Sequence, residues 1–233
     1  MRTKEARISV IIPVLNEANN LEHIQSLVEI ISQSSIKHDI IFVDGQSDDN
    51  TFQSLKRAGY TVIKSKRGRG KQLDKGVQSS QGQFLLLLHA DSYFDQSPLE
   101  EVARILSTDE MGCFRLSFDR QHVGLSLIAW GSNWRVRHRR IVFGDQGIFM
   151  TRQCYNTVGG FGNLPLMEDY DFSIRAKRLG ITIQQSSQTI LTSSRYFNQY
   201  GIVRGLWKMQ KCQRLFRQGK PIHMIQHIYK SRR

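Results

Sequence analysis

The sequence has few cysteines, few prolines and no long apolar run, and each scarcity excludes a class of protein. Three cysteines lie far apart among 233 residues, so we expect neither a disulfide scaffold nor a cysteine metal site. With four prolines and 39% hydrophobic residues, the chain is not a disordered, low-complexity one. The longest apolar run, Phe84 to Leu88, is too short to span a membrane, and no signal-peptide pattern is present. We therefore expect a cytoplasmic protein.

Acidic residues are absent from the last part of the chain. All 20 Asp and Glu lie at or before Asp171, whereas the residues beyond it include 13 Lys and Arg. This asymmetry predicts a basic C-terminal third that faces a phosphate-rich partner, which is an anionic lipid, a nucleotide or a nucleic acid.

Apolar runs alternate with helical patterns over residues 8–108. Ile8 to Val14 is apolar apart from Ser9, and Ile40 to Val43 and Phe84 to Leu88 are continuously apolar, which is typical of parallel strands covered on both faces. We predict an α/β fold with a mostly parallel open sheet flanked by helices, and Ser47 as the cap of the second helix. Such sheets bind ligands at the carboxyl ends of their strands.

The pattern is less regular after residue 110. We predict strands near 112–118 and 147–151 and a helix near 169–179. The stretch 200–217 predicts an amphipathic basic helix, and Pro221 begins a last short helix.

Five segments in order resemble the motifs of family 2 glycosyltransferases. They are Ser9 to Glu17, Val43 to Thr51, Leu88 to Asp91, Gly159 to Phe161 and Met167 to Phe172. The resemblance spans about residues 8–184 and implies a GT-A fold. We expect residues 1–195 to form the catalytic domain and residues 196–233 to form a basic helical extension packed on it.

The resemblance implies a donor-nucleotide site at the strand ends, where Asp44 contacts the base or ribose. In this chain Gly45 replaces the family's second aspartate, and Leu73-Asp74 stands where the family has Arg-Asn. The donor site is expected to comprise Pro13, Val14, Asn16, Glu17, Asp44, Gly45, Ser47, Arg69, Gln72 and Ala90.

Leu88-His89-Ala90-Asp91 resembles the family's metal motif with only its last carboxylate retained. Asp91 follows a buried strand, where Mn²⁺ or Mg²⁺ bridging two phosphates needs an oxygen ligand. His89 is either a second ligand or a histidine hydrogen-bonded at the strand edge.

Asp169 is the predicted general base for the acceptor hydroxyl, with Glu168 beside it. A neighbouring carboxylate raises the pKa of a carboxyl group toward the range useful for a base. The alternative is that both acids only cap the helix that they begin.

Two further segments are candidates for the acceptor or sugar. Gln146 and Gly147 offer polar groups to either, unless the segment is only a tight turn. Trp130 and Trp134 adjoin the basic run 135–140, which is either a solvated face or a site for a lipid phosphate. A peripheral contact with the anionic inner face of the plasma membrane follows from the second interpretation.

The function that these features predict is hexosyl transfer with inversion, from a nucleotide diphosphate sugar to a hydroxyl acceptor, with a lipid-linked acceptor as one candidate. One alternative is a nucleic-acid-binding or anionic-membrane-binding protein on an inactive GT-A scaffold. The acids at the strand ends would repel a nucleic acid, so we expect no nucleic-acid partner. A nucleotidyltransferase is disfavoured because no Gly-rich, Lys-bearing loop follows the first strand.

Overall fold

A single mixed sheet forms the centre of the protein. The computed structural model describes residues 7–231, in which seven strands have the order β3-β2-β1-β4-β6-β5-β7. Strand β6 runs antiparallel to both of its neighbours, and the other strand pairs are parallel. The strands are β1 (Ile8–Val14), β2 (His38–Asp44), β3 (Thr61–Lys64), β4 (Phe84–Leu87), β5 (Met111–Phe118), β6 (Ile148–Thr151) and β7 (Gln184–Thr192).

Ten α-helices flank the sheet within the described range. They are α1 (Leu21–Ser32), α2 (Thr51–Arg57), α3 (Arg69–Gln78), α4 (Leu99–Leu106), α5 (Val123–Arg139), α6 (Arg152–Val158), α7 (Glu168–Arg178), α8 (Arg195–Tyr200), α9 (Ile202–Arg217) and α10 (Ile222–Lys230). Over residues 7–231, no helix combines the length and the apolar character needed to cross a bilayer.

The sheet is covered on both faces, which confirms the predicted α/β fold. Val10 and Ile12 of β1 pack in one buried cluster with Ile24 of α1, while Ile11 packs in another with Leu73 of α3. Burial on both sides explains why apolar and polar residues do not alternate along β1 and β4.

The antiparallel strand β6 brings a further loop to the ligand-binding edge. Leu87, at the end of β4, pairs with Ile148, at the start of β6. The segment 144–147, which precedes β6, therefore lies at the edge where the parallel strands β1, β2 and β4 end.

The C-terminal helices pack on the rest of the protein. Cys212 of α9 and Ile225 of α10 are buried in one cluster with Met167, Tyr170 and Ile141. The division at residue 195 stays a prediction, but helices α9 and α10 contribute to this shared core.

Several elements differ from the sequence prediction. Helices α5, α6 and α8 and strand β7 were not predicted, and Gly201, with φ of +79°, separates α8 from α9. The cap assigned to Ser47 is wrong, because its Oγ accepts a hydrogen bond from Asn16 N at 3.0 Å. Asp49 instead accepts from Thr51 N, at the start of α2, at 2.9 Å.

The surroundings of two helical glycines predict that an added methyl group changes the stability of the protein in opposite directions. A Cβ at Gly76 of α3 would lie 2.4 Å from Ile11 Cγ2, whereas a Cβ at Gly131 of α5 would meet nothing within 4 Å. We expect Gly76→Ala to destabilise the protein by about 1–2 kcal/mol through overpacking. Gly131→Ala should stabilise it by about 0.5–1 kcal/mol through helix propensity. Urea unfolding of both variants measures the difference, and equal midpoints would contradict the packing of α3 on β1.

Candidate active site

Two loops at the carboxyl edge of the sheet are joined to each other. Asn16, which follows β1 and has φ of +58°, accepts a hydrogen bond from Asp48 N at 2.8 Å through its Oδ1. Glu17 N donates to Thr51 Oγ1 at 2.8 Å, and Ala18 N donates to Asp49 Oδ2 at 3.1 Å. The loops after β1 and β2 therefore form one connected surface rather than two independent turns.

Asp44, at the end of β2, has one oxygen bound and one free. Its Oδ2 accepts from Gln46 N at 3.0 Å and Ser47 N at 3.2 Å. Its Oδ1 is buried and has no hydrogen-bond partner among the described residues. A buried carboxylate oxygen without a donor is costly, so this atom is suited to accept from an N–H or O–H group of a ligand.

Gln72 of α3 explains why a glycine occupies position 45. Its Nε2 donates to Val14 O at 2.9 Å and to Val43 O at 2.8 Å, so one amide joins the ends of β1 and β2. A Cβ at Gly45 would lie 2.8 Å from the Gln72 side-chain amide. The space of a side chain at position 45 is therefore already filled from α3.

Arg69, at the first turn of α3, lies among three side chains that could carry chemistry. It forms ion pairs with Glu168 and with Asp169, the latter at 2.9 Å, and its Nη1 donates to His89 Nε2 at 2.9 Å. Burial, followed by the charge of Arg69, lowers the pKa of His89 to about 4. His89 is therefore a neutral imidazole with Nε2 as acceptor, which matches the strand-edge alternative for this residue.

The two acids of the Glu168-Asp169 pair are buried at the start of α7, with 2% and 5% exposure. Burial raises the pKa of Glu168, while the charge of Arg69 opposes that shift. Asp169 Oδ2 accepts from Arg69 and from Gly144 N at 2.7 Å, and Oδ1 accepts from Tyr170 N at 2.7 Å. A carboxylate has about four acceptor positions, so one remains on Oδ1.

Asp91 lies beyond β4 and contacts helix α8. Arg195 Nη2 of α8 donates to Asp91 Oδ2 at 3.2 Å. Across residues 7–231, no three or more His, Cys, Asp and Glu side chains are grouped so as to hold a metal ion. Mg²⁺ in proteins commonly binds with one or two carboxylates and substrate phosphates. The single carboxylate fits that kind of site.

Residues 9–162 match the sequence profile described as Glycosyl transferase family 2. The chain belongs to this family. An uncharacterized glycosyltransferase of Synechocystis sp. is 30% identical over 92 residues, which are 36% of this chain and 29% of that protein. The chain thus matches less than a third of that curated relative's length.

Solved structures share the fold of this family 2 glycosyltransferase. The mannosyltransferase PcManGT from Pyrobaculum calidifontis, in complex with GDP-Man and Mn²⁺, is 18% identical with a TM-score of 0.67 and covers 99% of this chain and 72% of its own. The glucosyl-3-phosphoglycerate synthase of Mycobacterium tuberculosis, in complex with Mn²⁺, UDP and glucosyl-3-phosphoglycerate, is 17% identical with a TM-score of 0.57, over 93% of this chain and 81% of its own. These similarities establish the GT-A fold of the chain.

The Gly-Gly-Phe segment of this glycosyltransferase is fixed by two charged side chains. Asp74 Oδ1 accepts from Tyr155 Oη at 2.6 Å and from Phe161 N at 2.8 Å. Arg175 Nη2 donates to Gly160 O at 2.7 Å. Asp74, which replaces the family's asparagine, therefore holds the loop between α6 and α7 in place.

The turn 144–147 lies against Arg135, which the sequence assigned only to the basic run 135–140. Arg135 of α5 donates to Gln146 Oε1 at 3.2 Å, and its guanidinium lies 4.3 Å from the ring centre of Phe143. Asp145 Oδ1 and Gln146 Nε2 are buried without a partner among the described residues. Two unpartnered polar atoms in one short turn are the signal that distinguishes this segment from a simple turn.

The remaining predicted residues divide between the site and other parts of the fold. Ala90 O accepts from Asn20 Nδ2 at 3.3 Å, and Pro13 lies on β1 beside Val14. Gly147 packs against Phe114 of the core, where a Cβ would lie 2.9 Å from its ring. The two predicted tryptophans are exposed on α5, with 68% for Trp130 and 40% for Trp134.

The environment of Asp145 predicts a pH-dependent stability. Burial raises the pKa of Asp145 to about 6, and Arg135 offsets part of that effect. Because the folded pKa exceeds the unfolded value, this group favours the folded state at low pH, and its contribution is lost as the pH rises through about 6. We expect Asp145→Asn to stabilise the ligand-free protein by about 1–2 kcal/mol at pH 7.5 and to have a smaller effect at pH 4.5.

Urea unfolding at the two pH values, compared with the exposed-acid control Asp95→Asn, checks this prediction. An Asp145→Asn effect that is the same at pH 4.5 and pH 7.5 would contradict the raised pKa.

Proposed function

We propose that this family 2 glycosyltransferase moves a hexose from a nucleotide diphosphate sugar to a hydroxyl acceptor, with inversion and with a divalent metal. The observation that carries the proposal is the free, buried Oδ1 of Asp44 at the edge where β1, β2 and β4 end. An N–H or O–H group of the donor's base or ribose would satisfy this atom. Two relatives in fold were solved with GDP-Man and Mn²⁺ and with UDP and Mn²⁺, which supports this class of donor.

Asp91 would hold the metal in this proposal, with the donor's phosphates as its other ligands. The bound cation would act as a Lewis acid for the negative charge that forms on the leaving diphosphate. We leave His89 out of the ligand set because its Nε2 accepts from Arg69. Arg195, which contacts Asp91, is a second positive group within reach of the same phosphates.

Inversion requires the acceptor oxygen to attack the anomeric carbon from the face opposite the phosphate. The bond between that carbon and the phosphate oxygen breaks, and its electron pair leaves with the nucleotide diphosphate. The proton of the acceptor hydroxyl passes to a base, and we assign this role to Asp169 through the remaining position on Oδ1. Arg69 and Gly144 N hold the other oxygen, so they orient the carboxylate. Glu168 shares Arg69 and positions it.

The acceptor side of the site is formed by the turn 144–147. Gln146 Nε2 and Asp145 Oδ1, both without partners among residues 7–231, are suited to bind hydroxyl groups of the sugar or acceptor. We propose that the acceptor is lipid-linked and that transfer occurs in the cytoplasm at the inner face of the membrane. The basic C-terminal helices, which carry no acid, are the support for this part of the proposal.

Donor binding tests the nucleotide and metal assignment. Thermal unfolding in the presence of UDP-, GDP- and dTDP-sugars, each with and without Mn²⁺, should show a metal-dependent rise for one donor. At a concentration about 100-fold above Kd the stabilisation is about 2.7 kcal/mol, which raises Tm by roughly 5–10 °C in a protein of this size. Asp91→Asn should remove the metal-dependent rise, and the nearby exposed acid variant Asp95→Asn should keep it. If no donor raises Tm of the wild type, the proposed function is wrong.

Transfer kinetics test the assignment of the base. We expect Asp169→Asn to lower kcat by about 10²–10⁴-fold because proton removal is lost, while donor binding in the thermal assay persists. Asp171→Asn, which alters an acid of the same helix that pairs with Arg175, serves as the matched control and should retain kcat. A normal kcat in Asp169→Asn would show that another group takes the proton.

A further inference from the structure

All three tryptophans of the chain lie on its surface. Trp130 and Trp134 of α5 and Trp207 of α9 are 68%, 40% and 58% exposed. Tryptophan is a residue that proteins usually bury to a large extent, so three exposed ones require an explanation.

The tryptophans belong to a larger apolar surface, which we call the tryptophan face. On α5, the exposed apolar residues recur at the spacing of one helical stripe, and on α9 they occupy the first two turns. The tryptophan face consists of Val123, Leu127, Trp130, Trp134, Val203, Leu206 and Trp207.

The two parts of this face adjoin at the N-termini of their helices. A Cβ at Gly124 of α5 would lie 3.0 Å from Ile202 of α9, so the first turns of the helices are in contact. Val123 and Val203 each neighbour one of these two residues in sequence. The apolar surface therefore continues from one helix to the other.

The two helices that form the tryptophan face carry charge of one sign. Residues 120–144 and 172–233 contain no Asp or Glu, while Arg137, Arg139 and Arg140 end α5 and Arg204 and Lys211 lie on α9. The Lys211 ammonium lies 4.6 Å from the ring centre of Trp207, and the Arg139 guanidinium 5.5 Å from that of Trp134. Tryptophan with aliphatic residues and a basic border is the composition of a surface that lies in the interface of a bilayer.

We propose that the tryptophan face docks the protein on an anionic lipid bilayer. Aliphatic side chains such as Leu127 and Val203 offer no stacking surface to nucleic-acid bases, which disfavours that partner. A second copy across a two-fold axis would place the basic borders against each other, which disfavours self-association. Docking itself does not depend on the proposed function. Its consequence, that the acceptor is presented at the membrane surface, rests on that function.

The structure also places the docking helix next to the active site. Arg135 of α5, the residue after Trp134, donates to Gln146 Oε1 at 3.2 Å. Docking through α5 would therefore bring the acceptor side of the site close to the lipid headgroups.

Vesicle binding by the full chain without any donor tests this proposal. Intrinsic fluorescence reports directly, because every tryptophan lies on the face. With vesicles of phosphatidylcholine and phosphatidylglycerol we expect emission to shift to shorter wavelength, brominated lipid to quench it, and the protein to cosediment. With phosphatidylcholine alone we expect much weaker binding, because the attraction to anionic headgroups is lost.

Two double variants, each with a control, separate the apolar contribution to vesicle binding from the electrostatic one. Leu127→Ser with Trp130→Ser should weaken vesicle binding by about tenfold or more, whereas Leu179→Ser, at an exposed leucine outside the tryptophan face, should not. Arg204→Gln with Lys211→Gln should weaken it by about tenfold, whereas Lys56→Gln with Arg57→Gln on α2 should change it less.

Three outcomes would overturn the proposal. They are binding that survives both face variants, tight binding to an RNA or DNA oligonucleotide that competes with vesicles, and dimerisation that the Leu127→Ser, Trp130→Ser variant abolishes. Failure of donor binding in the thermal assay would overturn the proposed function and leave this measurement unaffected.

Discussion

Arg69 and the two acids beside it are the constraint on which the site depends. Glu168 and Asp169 are adjacent in sequence and almost fully buried, and two neighbouring buried carboxylates without a counter-charge would cost several kcal/mol. Arg69 approaches both from α3 and also donates to His89 after β4. One guanidinium thus joins three separate parts of the chain. Because the positive charge of Arg69 lies beside them, the two acids can stay in surroundings of low polarity, which suit a catalytic base.

The segments around Arg69 lie so close together that glycine is needed at neighbouring positions. A Cβ at Gly144 would lie 2.8 Å from His89 Nε2, and a Cβ at Gly70 would lie 3.0 Å from Gly162 O. Glycine at these positions lets the turn before β6 and the loop before α7 contact α3 directly. In the same way, Gly45 leaves room for Gln72, whose amide joins β1 and β2. At position 45 the departure of this sequence from its family's motif is therefore matched by the side chain of Gln72.

The sequence predicted the fold best where burial on both faces leaves a largely apolar run, as in β1 and β4. It also predicted the carboxylates that follow these strands, because parallel strands end at one edge. It missed β7, since Gln184 to Thr192 is largely polar and only partly buried, and strand pairing with β5 determines its structure. The contacts of Arg69 and the orphaned atoms of Asp145 and Gln146 depend on tertiary packing, which no local pattern encodes.

Helix α5 was missed for a different reason, which bears on what the protein does. Its buried positions include the small residues Ala129 and Ser132, whereas its largest apolar side chains, Trp130 and Trp134, face outward. An ordinary surface helix has the reverse arrangement, so the usual amphipathic pattern is absent. Small inward residues let α5 pack closely on β5, and the outward tryptophans contribute nothing to that core. Their exposed surface adds nothing to the stability of the folded chain. Such side chains gain free energy when an apolar partner outside the chain buries them.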